Sequence, residues 1–219
     1  MLEKNLAITC LILLSGCSSA IEKKVLPQAQ VRSASVNTQL GMAYLQKGDV
    51  QRAKLKFLNA IDEAPLVPDA WYSMGYFLEV TGQKEQAKAH YLQAIKLDPT
   101  NGVGHNNYGT FLCRAGQYQA GIDQFMLSAQ DPRYLQIASA YENAGLCALK
   151  IPNHKLAYDY FNKAIINDPH LATSYLELAK LDIATGQYTT ARNHLSGFLN
   201  VSPPTPAYAA VKSQLPQKG

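Results

Sequence analysis

The residue types that most often perform catalysis or bind metals are present, but their spacing matches no catalytic motif. None of the five histidines stands in an HExxH pattern or in a Cys/His spacing typical of zinc. No serine occupies the centre of a G-x-S-x-G motif. Gly102, Gly104 and Gly109 do not form a dinucleotide fingerprint, because the third glycine is misplaced and no strand precedes them. The sequence therefore predicts no enzymatic activity, no metal, no cofactor and no small-molecule substrate. The histidines are His90, His105, His154, His170 and His194.

Composition and charge are those of an ordinary folded protein. Of the 219 residues, 47% are hydrophobic and 16% are charged, and the net charge is +4. This balance is typical of a chain with a buried core and unlike that of a disordered one. The chain has no dense stripe of lysine and arginine and no nucleic-acid motif, so we expect no nucleic-acid partner.

The N-terminal segment has the pattern of an export signal and contains two of the four cysteines. Lys4 supplies a positive charge, an apolar run follows from Leu6 to Leu14, and small residues lead to Cys17. The run is too short to span a bilayer, which favours a removed signal over residues 1–16. Cys10 would leave with that signal.

The end of this segment, Leu14-Ser15-Gly16-Cys17, resembles the lipobox of bacterial lipoproteins. The resemblance implies cleavage before Cys17 and acylation of its thiol and of the new amine, which together give stable membrane attachment. Ser18 follows the cysteine, and by resemblance to enterobacterial lipoproteins this implies the outer membrane, on its periplasmic face. The alternative is an ordinary secretory signal that contains a cysteine. Residues 17–33 are mixed polar and contain Pro27, so we predict a lipidated tether.

From about residue 34 the sequence repeats. A glycine or alanine recurs with spacings of 34, 34, 36 and 34 residues, an Ala-x3-Phe type pair follows, and a proline stands near the end of each unit. This pattern resembles the tetratricopeptide repeat (TPR). It predicts an all-α superhelical solenoid of five to six helix-turn-helix repeats. The recurring residues are Gly41, Gly75, Gly109, Gly145 and Ala179.

The predicted array covers residues 34–205, and 206–219 are expected to form a capping helix and tail or a truncated sixth repeat. Two extra residues between repeats three and four fall in a predicted turn around Asp131-Pro132-Arg133-Tyr134. The predicted repeats are 34–67, 68–101, 102–137, 138–171 and 172–205.

Cys113 and Cys147 lie on the first helices of repeats three and four. Equivalent helices of neighbouring repeats pack side by side, and an oxidising periplasm would allow the two thiols to bond. We predict a disulfide that clamps these repeats across the two-residue insertion. The alternative is a pair of separate buried thiols that act as small hydrophobes.

Arrays of this kind usually bind peptides or proteins on the concave surface that the first helices form. The exposed positions of that surface carry a mixture of aromatic, polar and charged groups, and tyrosine and arginine are good interface anchors. The alternative is a solvated groove without a specific partner. Asn107 and Asn143 are expected to be structural. The predicted groove residues are Asp69, Tyr72, Tyr76, Glu79, Asn106, Thr110, Arg114, Glu142, Leu146 and Lys150.

The lipobox, the repeats and two cysteine-containing stretches together resemble the type IV pilus biogenesis and stability lipoproteins, the PilF/PilW family. The stretches are Asn106-Asn107-Tyr108-Gly109-Thr110-Phe111-Leu112-Cys113 and Asn143-Ala144-Gly145-Leu146-Cys147. The resemblance implies an outer-membrane lipoprotein that acts as a pilotin, helping the pilus secretin to reach the membrane and to multimerise. The alternative function is that of a general periplasmic TPR adaptor for cell-wall enzymes or outer-membrane protein assembly.

Overall fold

The computed structural model describes residues 26–216, which contain eleven α-helices and no β-strand. Five antiparallel helix pairs follow one another, and a short last helix closes the C-terminal end. The first helices of the pairs are α1 (Gln28–Gln46), α3 (Pro68–Val80), α5 (Gly102–Arg114), α7 (Ile137–Ala148) and α9 (Ala172–Ala184). The second helices are α2 (Val50–Glu63), α4 (Lys84–Leu97), α6 (Tyr118–Gln130), α8 (His154–Asn167) and α10 (Tyr188–Val201), and α11 is Pro206–Lys212.

This architecture confirms the predicted all-α TPR solenoid, but one boundary needs correction. The tether was predicted to extend to residue 33, whereas α1 begins at Gln28, directly after Pro27. Residues 28–33 are therefore part of the first helix. Repeat four begins its helix at Ile137, one residue before the predicted boundary. The signal segment 1–16, Cys17 and the tether up to residue 25 lie outside the described residues, as do residues 217–219.

The turns inside the repeats follow one rule with one exception. Gly48, Gly82, Gly116 and Gly186 have φ between 74° and 86°, a conformation that residues with a Cβ rarely adopt. The fourth repeat has Ile151-Pro152-Asn153 in this position. There the Asn153 side chain accepts a hydrogen bond from the N–H of Leu156 at 3.1 Å and caps α8.

The register glycine lets the two helices of a repeat approach each other. In repeat one, a Cβ added at Gly41 would lie 2.7 Å from the ring of Phe57, and in repeat four a Cβ at Gly145 would lie 2.8 Å from the ring of Phe161. The two phenylalanines are fully buried. The glycine is therefore the space into which the aromatic residue of the second helix packs.

The two-residue insertion forms a connection between α6 and α7 that is tied to the rest of repeat three. The Asp131 carboxylate accepts a hydrogen bond from the Gly102 N–H at 2.8 Å and another from the Arg133 side chain at 2.9 Å. Tyr134 is buried, whereas Leu135 is 95% exposed. The connection is thus anchored at its polar and aromatic residues. Within residues 26–216, no helix has both the length and the apolarity required to cross a bilayer.

Candidate partner-binding groove

Neighbouring first helices lie side by side and form one surface of the array, because α3 packs against both α1 and α5, and α5 against α7. One depression on this surface is a hollow of about 300 Å³. Its lining combines two tyrosine rings, a methionine and two short polar side chains, a mixture suited to an apolar anchor with hydrogen-bonding neighbours. The lining residues are Met42, Tyr72, Ser73, Tyr76 and Asn107.

Tyr72 also lies beside Asp69, and these two residues line a second depression of about 310 Å³ at the beginning of α3. Burial raises the pKa of the Tyr72 hydroxyl, and the neighbouring Asp69 carboxylate raises it further. Desolvation also raises the pKa of Asp69, an effect that the hydrogen bond from Tyr72 opposes. Tyr72 is therefore a neutral hydrogen-bond donor at physiological pH, and it stands between the hollow and a carboxylate.

A charged cluster adjoins the hollow at the other end of α3. Glu79 accepts a hydrogen bond from the Tyr91 hydroxyl at 2.9 Å and forms an ion pair with Arg114 of α5, also at 2.9 Å. The Glu79 side chain is 10% exposed, whereas that of Arg114 is 55% exposed. Arg114 is thus held in position by Glu79 while its guanidinium keeps donors free for a ligand.

The amides of α5 and α7 form the next contact along the surface. The Asn143 side-chain N–H donates to the Asn106 side-chain oxygen at 3.0 Å, and the Thr110 hydroxyl donates to the backbone carbonyl of Asn106 at 2.9 Å. We expected Asn106 at the groove and Asn143 to be structural, and the structure places these two side chains in one hydrogen-bonded pair. Asn107, also expected to be structural, lines the hollow.

The remaining predicted groove residues do not belong to this cluster. Glu142 accepts hydrogen bonds from the N–H and the hydroxyl of Ser174, at 3.1 and 2.7 Å, and so satisfies the first turn of α9. Leu146 is 37% exposed on α7, and Lys150 is exposed in the turn after it. The structure therefore gives Glu142 a role in joining repeats four and five and leaves Leu146 and Lys150 outside the hollow.

Two residues of the hollow, Met42 and Ser73, were not identified from the sequence, although for Met42 the signal was available. Met42 immediately follows the register residue Gly41, as Tyr76 follows Gly75 and Thr110 follows Gly109. The prediction applied this position only to repeats two to four. Extending it to repeat one would have placed Met42 beside Tyr76.

The structure brings Cys113 and Cys147 together as a disulfide, with their Cα atoms 5.9 Å apart. Cys147 is buried, and Cys113 packs against the same apolar cluster as Phe161. The bond joins α5 to α7 across the insertion, where the sequence places it. The predicted lipid attachment at Cys17 lies outside the described residues.

Comparison with known proteins relates the repeats to the tetratricopeptide-repeat family and most of the chain to a protein of type IV pilus assembly. Two tetratricopeptide-repeat family models match residues 38–102 and 90–123. The type IV pilus assembly protein PilF of Pseudomonas aeruginosa is 27% identical over 187 residues, which are 84% of this chain and 74% of PilF. This chain is a TPR protein homologous to PilF. An uncharacterized protein of Haemophilus influenzae is 31% identical over 116 residues, or 53% of this chain and 65% of that protein.

Solved structures agree with this relationship at the level of the fold. The structure of PilF from P. aeruginosa matches with a TM-score of 0.78 at 24% identity, covering 86% of this chain and 85% of PilF. That of PilW, described as a widely conserved type IV pilus biogenesis factor, matches with a TM-score of 0.71 at 23% identity, covering 83% and 86%. The PilF homologue described here thus has the same solenoid over most of its length.

Proposed function

We propose that this chain is a lipid-anchored scaffold on the periplasmic face of the outer membrane, and that it acts as a pilotin for a type IV pilus secretin. The observation that carries the proposal is the homology to PilF over 84% of the chain. A relationship of this extent includes the repeats that form the groove and not only a single TPR pair. The protein would promote secretin localisation and multimerisation by binding, without catalysis.

The groove supplies the contacts that such a role requires. The hollow around Tyr72 and Tyr76 would receive an apolar side chain of the secretin, and the exposed guanidinium of Arg114 would bind a carboxylate or a backbone carbonyl. The Asn107 amide can both donate and accept hydrogen bonds to an extended backbone. The mixed chemistry of this surface therefore supports recognition of a polypeptide.

The sequence around Cys17 supports the anchor. Attachment there would leave eight residues, 18–25, between the lipidated cysteine and Leu26, and an extended chain spans at most about 3.5 Å per residue. The N-terminal end of the array would consequently remain within about 30 Å of the bilayer.

Deletion of the gene tests the proposed client. We expect heat-resistant secretin multimers to disappear from immunoblots and twitching motility to be lost, with both restored by the wild-type chain. Unchanged multimers with normal twitching would contradict the pilotin role. If deletion impaired cell-wall integrity and left the multimers and twitching intact, the general periplasmic adaptor would be favoured.

Substitutions separate the groove from the fold. Replacement of Tyr72 and Tyr76 by Ala should reduce the multimers, since it empties the hollow. Leu92→Ala is the matched control, because Leu92 is an exposed apolar residue, 45% accessible, on second helix α4. Equal effects of both variants at equal protein level would exclude the hollow as the secretin contact.

The anchor has its own test. Cys17→Ser should remove the protein from the outer-membrane fraction and abolish metabolic labelling with palmitate. Labelled protein in the Cys17→Ser strain, or unchanged fractionation, would show that Cys17 does not carry the anchor.

A further inference from the structure

The N-terminal end of the array presents an apolar surface on α1 that every later repeat buries. The first position is that of Val36, which is 54% exposed. The corresponding residues of repeats two to five are Ala70, Gly104, Ala140 and Ser174, and all four are buried. All four are small, and Ala70 packs with residues of the preceding repeat, whereas repeat one has a larger apolar residue at this position.

One turn further along α1, Leu40 shows the same contrast. Leu40 is 39% exposed, while Met74, Tyr108, Ala144 and Leu178, in the same position of the later repeats, are between 0% and 7% exposed. Ala43, the next position on this face, is exposed as well. Residues spaced by three and four along a helix share one face. Val36, Leu40 and Ala43 therefore form a continuous apolar stripe, which we call the α1 stripe.

The array itself shows what covers such a stripe. In repeat two, Ala70 packs with Ala60 of α2 and with Ala64, which follows that helix, and the Phe77 ring lies 5.7 Å from that of Phe57, also on α2. The cover is thus the second helix of the preceding repeat, which offers a small residue and an aromatic one on a single face. Second helices have 13 or 14 residues.

The two ends of the solenoid differ in whether a helix covers the terminal repeat. At the C-terminal end, Tyr208 and Val211 of α11 are buried against Leu195 and Phe198 of α10, so a short helix covers the last repeat. Terminal repeats without such a helix normally carry a polar outer face, which keeps them soluble. Within residues 26–216, nothing covers the α1 stripe, and the stripe is apolar.

We propose that the α1 stripe is a docking site for an amphipathic α-helix of another protein, which binds in the position of a missing second helix. The segment between Cys17 and Leu26 has eight residues, too few for a helix of 13 residues and the turn that would return it to α1. This step rests on the proposed attachment at Cys17. The stripe is separate from the groove, so a helical partner and the secretin could bind together.

A peptide with the sequence of residues 49–66 is the probe, because it contains α2 and its caps and α2 covers the corresponding stripe of repeat two. Labelled peptide is titrated by fluorescence anisotropy into the chain 17–219 carrying Cys17→Ser. We expect saturable binding that weakens about tenfold or more in the Val36→Glu/Leu40→Glu variant, because a carboxylate would be buried without a partner. A peptide carrying Ala60→Glu should bind equally poorly.

The controls make the outcome decisive. Val36 and Leu40 are accessible, so the double variant should keep the far-ultraviolet circular dichroism of the wild type, and Leu92→Glu should bind the peptide normally. Absent binding, or equal binding to the stripe variant, would overturn the proposal. So would concentration-dependent dimers in sedimentation velocity that the stripe variant abolishes, since the occupant would then be a second copy.

A third arm addresses the chain's own N-terminal residues. If a chain beginning at Leu26 binds the peptide and the chain 17–219 does not, residues 17–25 are the occupant and the proposal is wrong. None of these measurements depends on pilus formation. A loss of the pilotin hypothesis would therefore leave them unaffected, and their failure would leave that hypothesis intact.

Discussion

Repeats two and three meet through paired aromatic rings, whereas repeats three and four meet through a covalent bond and through large residues of α6 packed with small residues of α7. At the first junction, the buried Tyr91 ring lies 5.3 Å from Phe111 and 6.0 Å from Tyr108. At the second, the Cys113–Cys147 disulfide joins α5 to α7. The register spacing is 34 residues at the first junction and 36 at the second. Where two inserted residues lengthen the register spacing to 36, a covalent bond takes the place of the paired aromatic rings.

Gly121 allows α5 and α6 of repeat three to approach each other closely beside the disulfide. A Cβ at this position would lie 2.9 Å from the carbonyl oxygen of Gly109 and 3.4 Å from the Cys147 sulfur. The helices α5 and α6 therefore approach more closely than the usual alanine of this position would allow, and the disulfide lies directly beside them. The space between α5 and α6 beside the disulfide is narrow, and a glycine at position 121 is a condition for this close approach.

Removal of the disulfide should have the largest effect on this comparison. Because the cysteines are 34 residues apart, reduction should lower the free energy of unfolding by about 3–4 kcal/mol on chain-entropy estimates. Urea unfolding of the wild type with and without reductant measures the difference. The Cys113→Ser/Cys147→Ser variant is the control and should not respond to reductant. Equal stability of the reduced and oxidised wild type would show that noncovalent packing alone holds the second junction.

Gly121→Ala should follow in size, with a loss of about 1–3 kcal/mol from overpacking against the Gly109 carbonyl. Gly104→Ala is the matched control. The nearest atom to its Cβ would be 3.7 Å away, so the better helix propensity of alanine should stabilise that variant by up to about 1 kcal/mol. Thermal unfolding followed by circular dichroism compares the two. Unchanged thermal stability of the Gly121→Ala variant would mean that the space beside the disulfide accommodates a methyl group.

At the first junction, Tyr91→Phe keeps the ring and removes only the hydrogen bond to Glu79. We expect a loss of about 1–2 kcal/mol, since the acceptor is a carboxylate. Tyr108→Phe serves as the comparison and should change stability by less than about 0.5 kcal/mol, because its hydroxyl makes no hydrogen bond within residues 26–216. Equal losses in both variants would show that the hydrogen bond to Glu79 is not the source of the effect.

The smallest effect should appear only in acid, at the connection that carries the insertion. Hydrogen bonds from the Arg133 side chain and from the Gly102 N–H lower the pKa of Asp131 to about 2. A carboxyl whose pKa is depressed in the folded state stabilises that state above its unfolded pKa of about 3.9. That contribution is lost as the pH falls through about 2. Asp131→Asn should therefore flatten the dependence of the melting temperature on pH between about 4 and 2. An unchanged dependence would exclude Asp131 as its source.

The repeat register could be predicted because it depends on local spacing, but the start of α1 could not. Residues 28–33 are mostly polar and show no apolar stripe. Their helix continues from the buried residues Ala34, Asn37 and Gly41, and Pro27 fixes where it begins. Pro27 marks the boundary locally, but the packing that supports a helix through residues 28–33 lies further along the chain and is not visible in the pattern of those six residues.

The sequence predicted which positions lie on the first-helix surface, but it did not predict which side chains contact each other there. The position within each repeat placed Tyr72, Tyr76 and Arg114 on the surface that the first helices form, yet Glu79 and Arg114 are 35 residues apart in sequence. Their ion pair depends on how far each repeat rotates relative to the previous one. Glu142 belongs to the same class of positions, and the same rotation brings it to the first turn of α9.

The Cys113–Cys147 disulfide between α5 and α7 also determines which parts of the chain can extend when the molecule is pulled by its ends. The backbone between Cys113 and Cys147 cannot lengthen while the bond is intact, so about 110–120 Å of extended chain stays out of reach of the load. Repeats one and two lie outside that closed segment, so they can unfold and lengthen under the load. Under tension the molecule would behave as an extensible N-terminal spring attached to a central block of fixed length.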